Sequence, residues 1–469
     1  MNPEIINRPQ PDESSIAGAA PAGRRDPGAA AALLQALRTR FAALAQALGA
    51  HSATPGMPAS GMDHLLDALL NCAAALQLSS LRLHDQPVAG AIRAQRDGQD
   101  FELVDCPPPL LRELQDELLR RVEIGRTALR LPWHARPLFW PAAGATGAAG
   151  DSGVPGGSLQ IELRACPIAD GRLSVFVQLR PAAADIPPLE ALGLEAHDAL
   201  VLRRALRQPQ GLLLLAGPRG AGLTTTAYAL LDTLGGAAPA APCVLAVEAA
   251  AARPTPHWLQ CAPVAPGVMP GVDPCGLTAV APDVIFLDVL PAGASGAAYL
   301  HQATMAVAEG TLVVLALRAE RALHTLGSLR VQGVLPADLA PHLLLVMAQR
   351  LVRRLCRYCA QPDDSAELRA VLARAANSWL REGALRGARA HPAGCAQCGG
   401  SGYHGRALLY ELLEIDSGVR AMIEEGVGQI ELEQRLLVDG RSIWDQGIRL
   451  LARGKISLAA LRAALREPS

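Results

Sequence analysis

Lysine is nearly missing from this 469-residue chain: Lys455 stands alone among 43 basic residues, the rest being arginine. A site that requires a lysine anywhere else must do without it. Aromatic residues are also scarce, five each of Phe, Trp and Tyr, which leaves too few rings for a base-stacking platform. Neither charge sign is in excess: 43 basic against 44 acidic residues give a formal net charge of −1, which argues against a generic nucleic-acid binder, and no specific nucleic-acid partner is expected. No apolar run reaches the roughly 18 residues of a membrane span. The longest uncharged stretches, Pro254 to Val272 and Val289 to Ala308, are broken by Pro266, Pro270, Pro291, His301 and Gln302. The polar start from Met1 to Asp12 lacks the charged-then-apolar order of a secretory signal, so a cytoplasmic chain with reduced thiols is expected, and its ten cysteines need an explanation other than disulfides. What is present is apolar aliphatic mass: 50% of the chain is hydrophobic and 19% charged, enough for packed cores, and the length predicts two or three domains.

Residues 1 to about 30 are rich in Pro, Gly, Ser and Ala and read as a disordered leader, followed by one short helix carrying Leu33, Leu34, Leu37, Phe41, Leu44 and Leu48 at helical spacing. The leader with its helix is assigned to residues 1–59. An α+β domain follows over 60–186: a helix from Leu65 to Leu76, strands Leu81 to Leu83 and Ala91 to Arg96 ending at Asp97-Gly98, a helix from Pro109 to Val122, and strands Leu159 to Cys166 and Leu173 to Leu179. The stretch from Ala142 to Gly157 has the composition of a flexible insertion. From 187 to 345 the pattern alternates as α/β: helix Ala196 to Arg207, strand Leu212 to Leu215, helix Thr224 to Leu234, and strands Val244 to Val247, Val284 to Leu287 and Leu312 to Leu317, which predicts a parallel sheet covered by helices. Residues 346–415 hold four paired cysteines, and 416–469 read as helices.

Two motifs carry chemistry. Gly217-Pro218-Arg219-Gly220-Ala221-Gly222-Leu223-Thr224, with Thr225 next, lies between an apolar strand and an amphipathic helix. There, glycines let backbone amides close around phosphate oxygens, the helix start adds its dipole, and a threonine is placed to ligate magnesium. The lysine expected before Thr224 is Leu223, whose alkyl chain makes no phosphate contact. Losing such a charge-assisted contact costs about 1.5–3 kcal/mol. The same residues also suit a strand-turn-helix corner that merely needs glycine. The second motif is Cys356-Arg357-Tyr358-Cys359 followed by Cys395-Ala396-Gln397-Cys398, two CxxC knuckles that offer four thiolates for one tetrahedral, structural zinc. Cys72, Cys106, Cys166, Cys243, Cys261 and Cys275 are scattered and read as small buried hydrophobes.

Together with Gln349-Arg350-Leu351-Val352-Arg353-Arg354-Leu355-Cys356, Gly402-Tyr403-His404-Gly405-Arg406 and Tyr410-Glu411-Leu412-Leu413, these motifs resemble the secretion-type ATPases that power type II secretion and type IV pilus assembly. The resemblance covers about residues 60 to 465 and includes Arg130-Leu131-Pro132 and the tail from Arg441 to Leu458. It implies an α/β fold: a RecA-like P-loop core, an N-terminal α+β (PAS-like) domain, and a C-terminal tetracysteine zinc and helical subdomain. It further implies ATP with magnesium, Arg93, Arg164 and Arg180 as nucleotide-facing arginines, and a hexameric ring of this chain or a mixed ring with an active paralogue. Platform proteins of the inner membrane are the implied partners, with the chain peripheral to that membrane.

The chain departs from the family where the chemistry lies. The acidic box keeps Val247-Glu248 but continues with Ala249 and Ala250. The segment that should end in Gly-Glu-Ile-Arg-Asp reads Asp288-Val289-Leu290-Pro291-Ala292, so the glutamate position is Val289. Asp288 and Glu248 remain as candidate magnesium or catalytic carboxylates. Strand alternation predicts that Asp288, one residue early, points away from where the family's glutamate does. Both family histidines are replaced, in Gly310-Thr311 and Leu317-Arg318-Ala319. A catalytic acid or base alone is worth roughly 10² to 10⁴ in rate. The expectation is an impaired, pseudo-ATPase ring subunit. The alternatives are an active ATPase in which Arg219 and Asp288 take over, and a nucleotide-independent interaction module, for which the helix from Leu33 to Leu48 offers a face.

Overall fold

The computed structural model describes residues 32, 34–39, 41–43, 59–84, 90–121, 133–134, 138–140, 159–168, 172–181, 186–235, 242–248, 251, 253, 255, 257–263, 274–288, 294–376, 387–436 and 442–465. The expected leader, the glycine-rich insertion, Arg130 to Pro132, Ala249, Ala250 and Val289 lie outside the described residues.

The N-terminal unit is an antiparallel sheet on helices. Helix α1 (Ala59–Ala75) is followed by β1 (Ser80–His84), β2 (Ala91–Arg96), β3 (Gln99–Asp105), α2 (Pro108–Arg121), β4 (Trp133–His134), β5 (Leu138–Trp140), β6 (Leu159–Pro167) and β7 (Leu173–Pro181). The strands lie in the order β3-β2-β1-β7-β6-β4, with β5 also paired to β6. Asp97 and Gly98 both have positive φ (51° and 81°), so this dipeptide closes the β2–β3 hairpin, and the strand the sequence leaves unread after it is its second arm. Alternation puts Leu81, Leu83, Ile92, Ala94, Leu163, Val175 and Val177 on the helix-covered face, where they meet Leu65, Leu69, Leu110 and Leu114. Leu37 and Phe41 join this core, so the short helix expected as part of the leader, with a face for a partner, spends that face on the N-terminal unit itself.

The second unit contains α3 (Ala196–Leu206), β8 (Gly211–Ala216), α4 (Leu223–Leu231), β9 (Val244–Val247), β10 (Trp258–Cys261), β11 (Val284–Leu287), α5 (Ala294–Ala308), β12 (Leu312–Leu317), α6 (Ala322–Val331), α7 (Pro336–Leu339) and β13 (Leu343–Leu355). After β14 (Gln361–Pro362), α8 (Ala366–Ala376) and β15 (Ala388–Arg389) comes β16 (Tyr403–Glu414), then helices α9 (Ser417–Glu424), α10 (Gln429–Leu436), α11 (Ile443–Ala452) and α12 (Leu458–Leu465). The seven-stranded sheet has the order β10-β9-β11-β12-β8-β13-β16, parallel except for the last pair. Every residue of β8, β9, β11 and β12 is buried, as expected where helices cover both faces. The expected boundary at 345/346 falls inside the sheet: β13 runs on to Leu355 and β16 pairs with it, so 346–355 and 403–414 belong to the core and the cysteine knuckles grow from its edge. The physical reason is that Gln349, Arg350 and Glu411 are buried polar residues whose partners come from distant parts of the chain, so these strands lack an unbroken apolar pattern. The second long uncharged stretch forms the 15-residue α5, and among the described residues no helix is long and apolar enough to cross a membrane.

Candidate nucleotide site and cysteine cluster

The glycine loop occupies the carboxyl end of β8, where open α/β sheets bind ligands. Gly217 admits no side chain: a Cβ there would lie 2.6 Å from both the Ala221 Cβ and the Gln349 carbonyl oxygen. Gly222 is left-handed (φ 88°) and begins α4. Gln349 holds the turn from β13, its Nε2 donating to the Ala221 carbonyl (3.0 Å) while its Oε1 accepts from the Thr226 hydroxyl (2.9 Å). Thr224 faces the other way and donates its hydroxyl to Asp288 Oδ2 at 2.9 Å. Asp288 lies one residue past β11, where its backbone N–H donates to the Val247 carbonyl and its carboxylate turns to the loop.

Leu223 is 4% exposed and belongs with Ala221, Tyr228 and Leu215 to the core beneath the loop. Burying such a side chain contributes about 1.5–3 kcal/mol. The loop thus combines a glycine backbone closed on β13 with a packing residue at its centre. Arg219 and Thr225 are exposed and Pro218 is half-buried.

Glu248 is not brought to the loop. It is 3% exposed, accepts the Tyr228 hydroxyl at 2.5 Å and the Gln260 amide at 3.2 Å, and its charge helps burial to push the Cys261 thiol pKa up. Tyr228 packs against Trp258 and Phe286, so this carboxylate belongs to a buried aromatic-polar cluster.

The face of the N-terminal sheet away from its helices meets the loop at Phe176. Arg82 on β1 and Arg164 on β6 lie directly across from Phe176 on β7, with their guanidinium carbons 6.0 and 5.9 Å from the ring centre. Arg219 of the glycine loop reaches the same ring at 5.9 Å. Asp100 pairs with Arg82, and Glu162 with Arg164. Arg318, which follows β12, feels both Asp288 and Arg164: its pKa is pushed down by burial first, with Asp288 opposing and Arg164 adding. Arg93 is exposed on the same face, opposite Arg82 and Glu102. His84, hydrogen-bonded to the Ser174 hydroxyl, has its pKa lowered by burial and then by Arg82 and Arg93. Of the three arginines expected to face a nucleotide, Arg164 reaches the loop region, Arg93 lies on that face, and the side chain of Arg180 is outside the described residues. Sequence reasoning missed Arg82 and Phe176, whose one signal is the alternation of β1 and β7.

The four motif cysteines converge. The sulfurs of Cys356, Cys359, Cys395 and Cys398 all lie within 4.8 Å of one another, with 3.8 Å between Cys356 and Cys395 and 3.9 Å between Cys359 and Cys398. Sulfurs about 2.3 Å from a central tetrahedral ion would be about 3.8 Å apart. The backbone amides of Cys395 and Gly402 donate to Cys398 Sγ at 3.1 and 3.2 Å. Burial raises the Cys398 pKa, but these donors and the neighbouring thiols more than offset it and leave it at about 6. The donor set thus fits a single thiophilic metal ion. Cys72 and Cys106 are buried as expected, whereas Cys166 is exposed.

The family model described as type II/IV secretion system protein matches residues 152–250 and 283–463, more than half of the chain. The chain belongs to this family. The type II secretion system protein E of Dickeya dadantii is 35% identical over 263 residues, 54% of this chain and 48% of that protein. The type II secretion system protein HxcR of Pseudomonas aeruginosa is 27% identical over 86% of this chain and 77% of its own length. The type IV pilus assembly ATPase PilB of Thermus thermophilus is 28% identical over 59% of this chain and 30% of its own length. The chain therefore spans from about a third to three-quarters of these relatives. Among solved structures, the fold is similar to the Legionella pneumophila ATPase DotB (TM-score 0.56, 15% identity, 88% of this chain and 97% of that one). It is also similar to the pilus retraction motor PilT with bound ADP (TM-score 0.54, 18% identity, 86% of this chain and 97% of that one). Within this type II/IV secretion fold, the α/β core and the convergence of the four cysteines agree with the fold class and the thiolate set read from the sequence.

Proposed function

We propose that this type II/IV secretion protein is a catalytically impaired, pseudo-ATPase ring subunit that supports pilus or pseudopilus assembly and protein secretion. The observation that carries the reading is Leu223: at the lysine position of an otherwise intact loop, its side chain is buried in the core, so no cation projects from there toward a phosphate. Val289 at the glutamate position, and Thr311 and Arg318 at the histidine positions, support the same reading from the sequence. The ring would contain this chain alone, as a hexamer, or beside an active paralogue, docked on platform proteins of the inner membrane. The N-terminal unit, an antiparallel sheet with strands of two to nine residues packed on helices, is read as PAS-like, and the four cysteines as the closed ligand set of one structural zinc.

One contact favours a second reading. The Thr224–Asp288 hydrogen bond joins a hydroxyl and a carboxylate suited to magnesium, which an active enzyme with Arg219 in the lysine's place would use. Purified protein assayed for magnesium-dependent phosphate release decides between them. The impaired reading expects turnover at background for the native chain and for Leu223→Lys, because Val289 remains; turnover that is lost in Arg219→Gln or Asp288→Asn overturns it.

A further inference from the structure

The hairpin that Asp97 and Gly98 close ends against the cysteine knuckles. Arg96, the last residue of β2 and the partner of Gln99 across the turn, is half-buried, and its Nη2 donates to the Cys398 carbonyl at 3.4 Å. Its guanidinium also lies along the next residue. A Cβ on Gly399 would stand 3.0 Å from Nη2 and 3.3 Å from Nη1, so this left-handed glycine (φ 60°) leaves the room that the guanidinium takes. Among the described residues no carboxylate lies within ion-pair distance of Arg96. A half-buried cation without a carboxylate bears a desolvation cost, which a carbonyl and any negative charge held by the knuckle would offset.

Cys398 is the residue around which the second knuckle closes. Its Sγ accepts the amides of Cys395 and Gly402, and its carbonyl accepts the Ser401 hydroxyl at 2.7 Å as well as Arg96. Of these donors, Arg96 is the one from the N-terminal unit. Four thiolates around one divalent ion leave two net negative charges, which a nearby guanidinium stabilises. Such knuckles hold their fold through the metal, so the place of the carbonyl that Arg96 grips depends on the ion. The coupling is mutual: if docking of the hairpin tightens metal binding by some factor, metal binding tightens docking by the same factor.

We propose that Arg96 is a positioning residue for the four-cysteine site and couples it to the N-terminal unit: the metal-loaded knuckle holds the β2–β3 hairpin, and the hairpin in turn slows loss of the metal. The knuckle is then a metal-dependent clasp between the two units as well as a staple of the C-terminal part. This rests on reading the four cysteines as a metal site and is independent of any nucleotide.

The test uses the full chain as purified, with its zinc content measured. Zinc release to a chromogenic chelator is followed in the native chain, in Arg96→Gln and in Arg204→Gln, a charge-matched control on α3. Hydrogen exchange of residues 91–105 is compared before and after metal removal. Arg96→Gln is expected to release zinc about threefold to tenfold faster, the worth of one hydrogen bond, and to raise hairpin exchange while zinc is still bound. Arg204→Gln should match the native chain. Removing zinc from the native chain should raise hairpin exchange by a similar factor while β6 and β7 of the same sheet stay protected, and removing it from Arg96→Gln should add little, because the contact is already gone. Unchanged release in Arg96→Gln, or hairpin exchange indifferent to the metal in the native chain, overturns the proposal and leaves the zinc site standing. A chain that contains no zinc and takes none up on titration overturns the metal reading itself, and the proposal with it. Melting curves of the zinc-loaded variants confirm that they are folded, and the native-chain comparison requires no variant.

Discussion

Within the glycine loop, one side chain is given over to packing. Leu223 points into the core that Ala221 and Tyr228 share, so it stabilises the loop by packing. Leu223→Lys is expected to raise Mg-ATP affinity by about tenfold or more, provided the stem lies along the apolar wall with its ammonium at the loop. Calorimetry measures it, and unchanged affinity would mean that the position is closed to a cation. Removing one hydroxyl nearby has a different cost. Tyr228→Phe takes the short hydrogen bond from the buried Glu248 carboxylate and should destabilise the protein by about 1–3 kcal/mol in chemical denaturation. His84 offers a pH signature. Its pKa is lowered in the folded state, so the unfolded chain takes up a proton first, and stability is full above the unfolded value of about 6.5 and falls as pH drops below it. His84→Gln should flatten that part of the stability profile. The alternation of β1 and β7 made this face readable in principle, but which arginines meet the loop was not, because no sequence spacing relates Arg219 to Phe176.

Elements decide how the loop keeps its shape without a ligand. Gln349 comes from β13, a strand with no unbroken apolar pattern in the sequence, because Gln349 and Arg350 interrupt its apolar run. Only the fold shows their partners, the Ala221 carbonyl and the Thr226 hydroxyl for Gln349, and the Ala464 carbonyl for Arg350. Gln349→Leu should leave a buried carbonyl and hydroxyl without their partner, lowering stability by about 1–3 kcal/mol and weakening any phosphate bound in the loop. An unchanged melting temperature would show that the turn is held by its glycines alone. The same logic applies to Glu411 on β16, which accepts the first backbone amide of α6. The strands that were read correctly, β8, β9, β11 and β12, are fully buried and uninterrupted, which is the case in which periodicity and burial agree.

On the scale of the whole molecule, the cysteine knuckles touch both the core and the N-terminal unit. Cys356 follows β13, Gly402 leads into β16 and its amide reaches Cys398, and Arg96 next to the Asp97-Gly98 turn donates to the Cys398 carbonyl at 3.4 Å. Stripping the metal with a strong chelator, or Cys395→Ser, is expected to lower the melting temperature by several degrees. It should also increase proteolysis between β13 and β16. No change in either would remove the structural-zinc reading.

The sequence by itself determined the α/β core, the glycine-rich segment between β8 and α4 and the four-cysteine set, because each is carried by local pattern or fixed spacing. Only the tertiary structure decided that Asp288 turns to Thr224 while Glu248 turns to Tyr228, that the sheet continues through β13 and β16, and that Arg82, Arg164 and Arg219 share one aromatic ring. These are contacts between segments far apart in the chain, set by strand register and by how the N-terminal sheet lies on the core, and no local pattern encodes such distances.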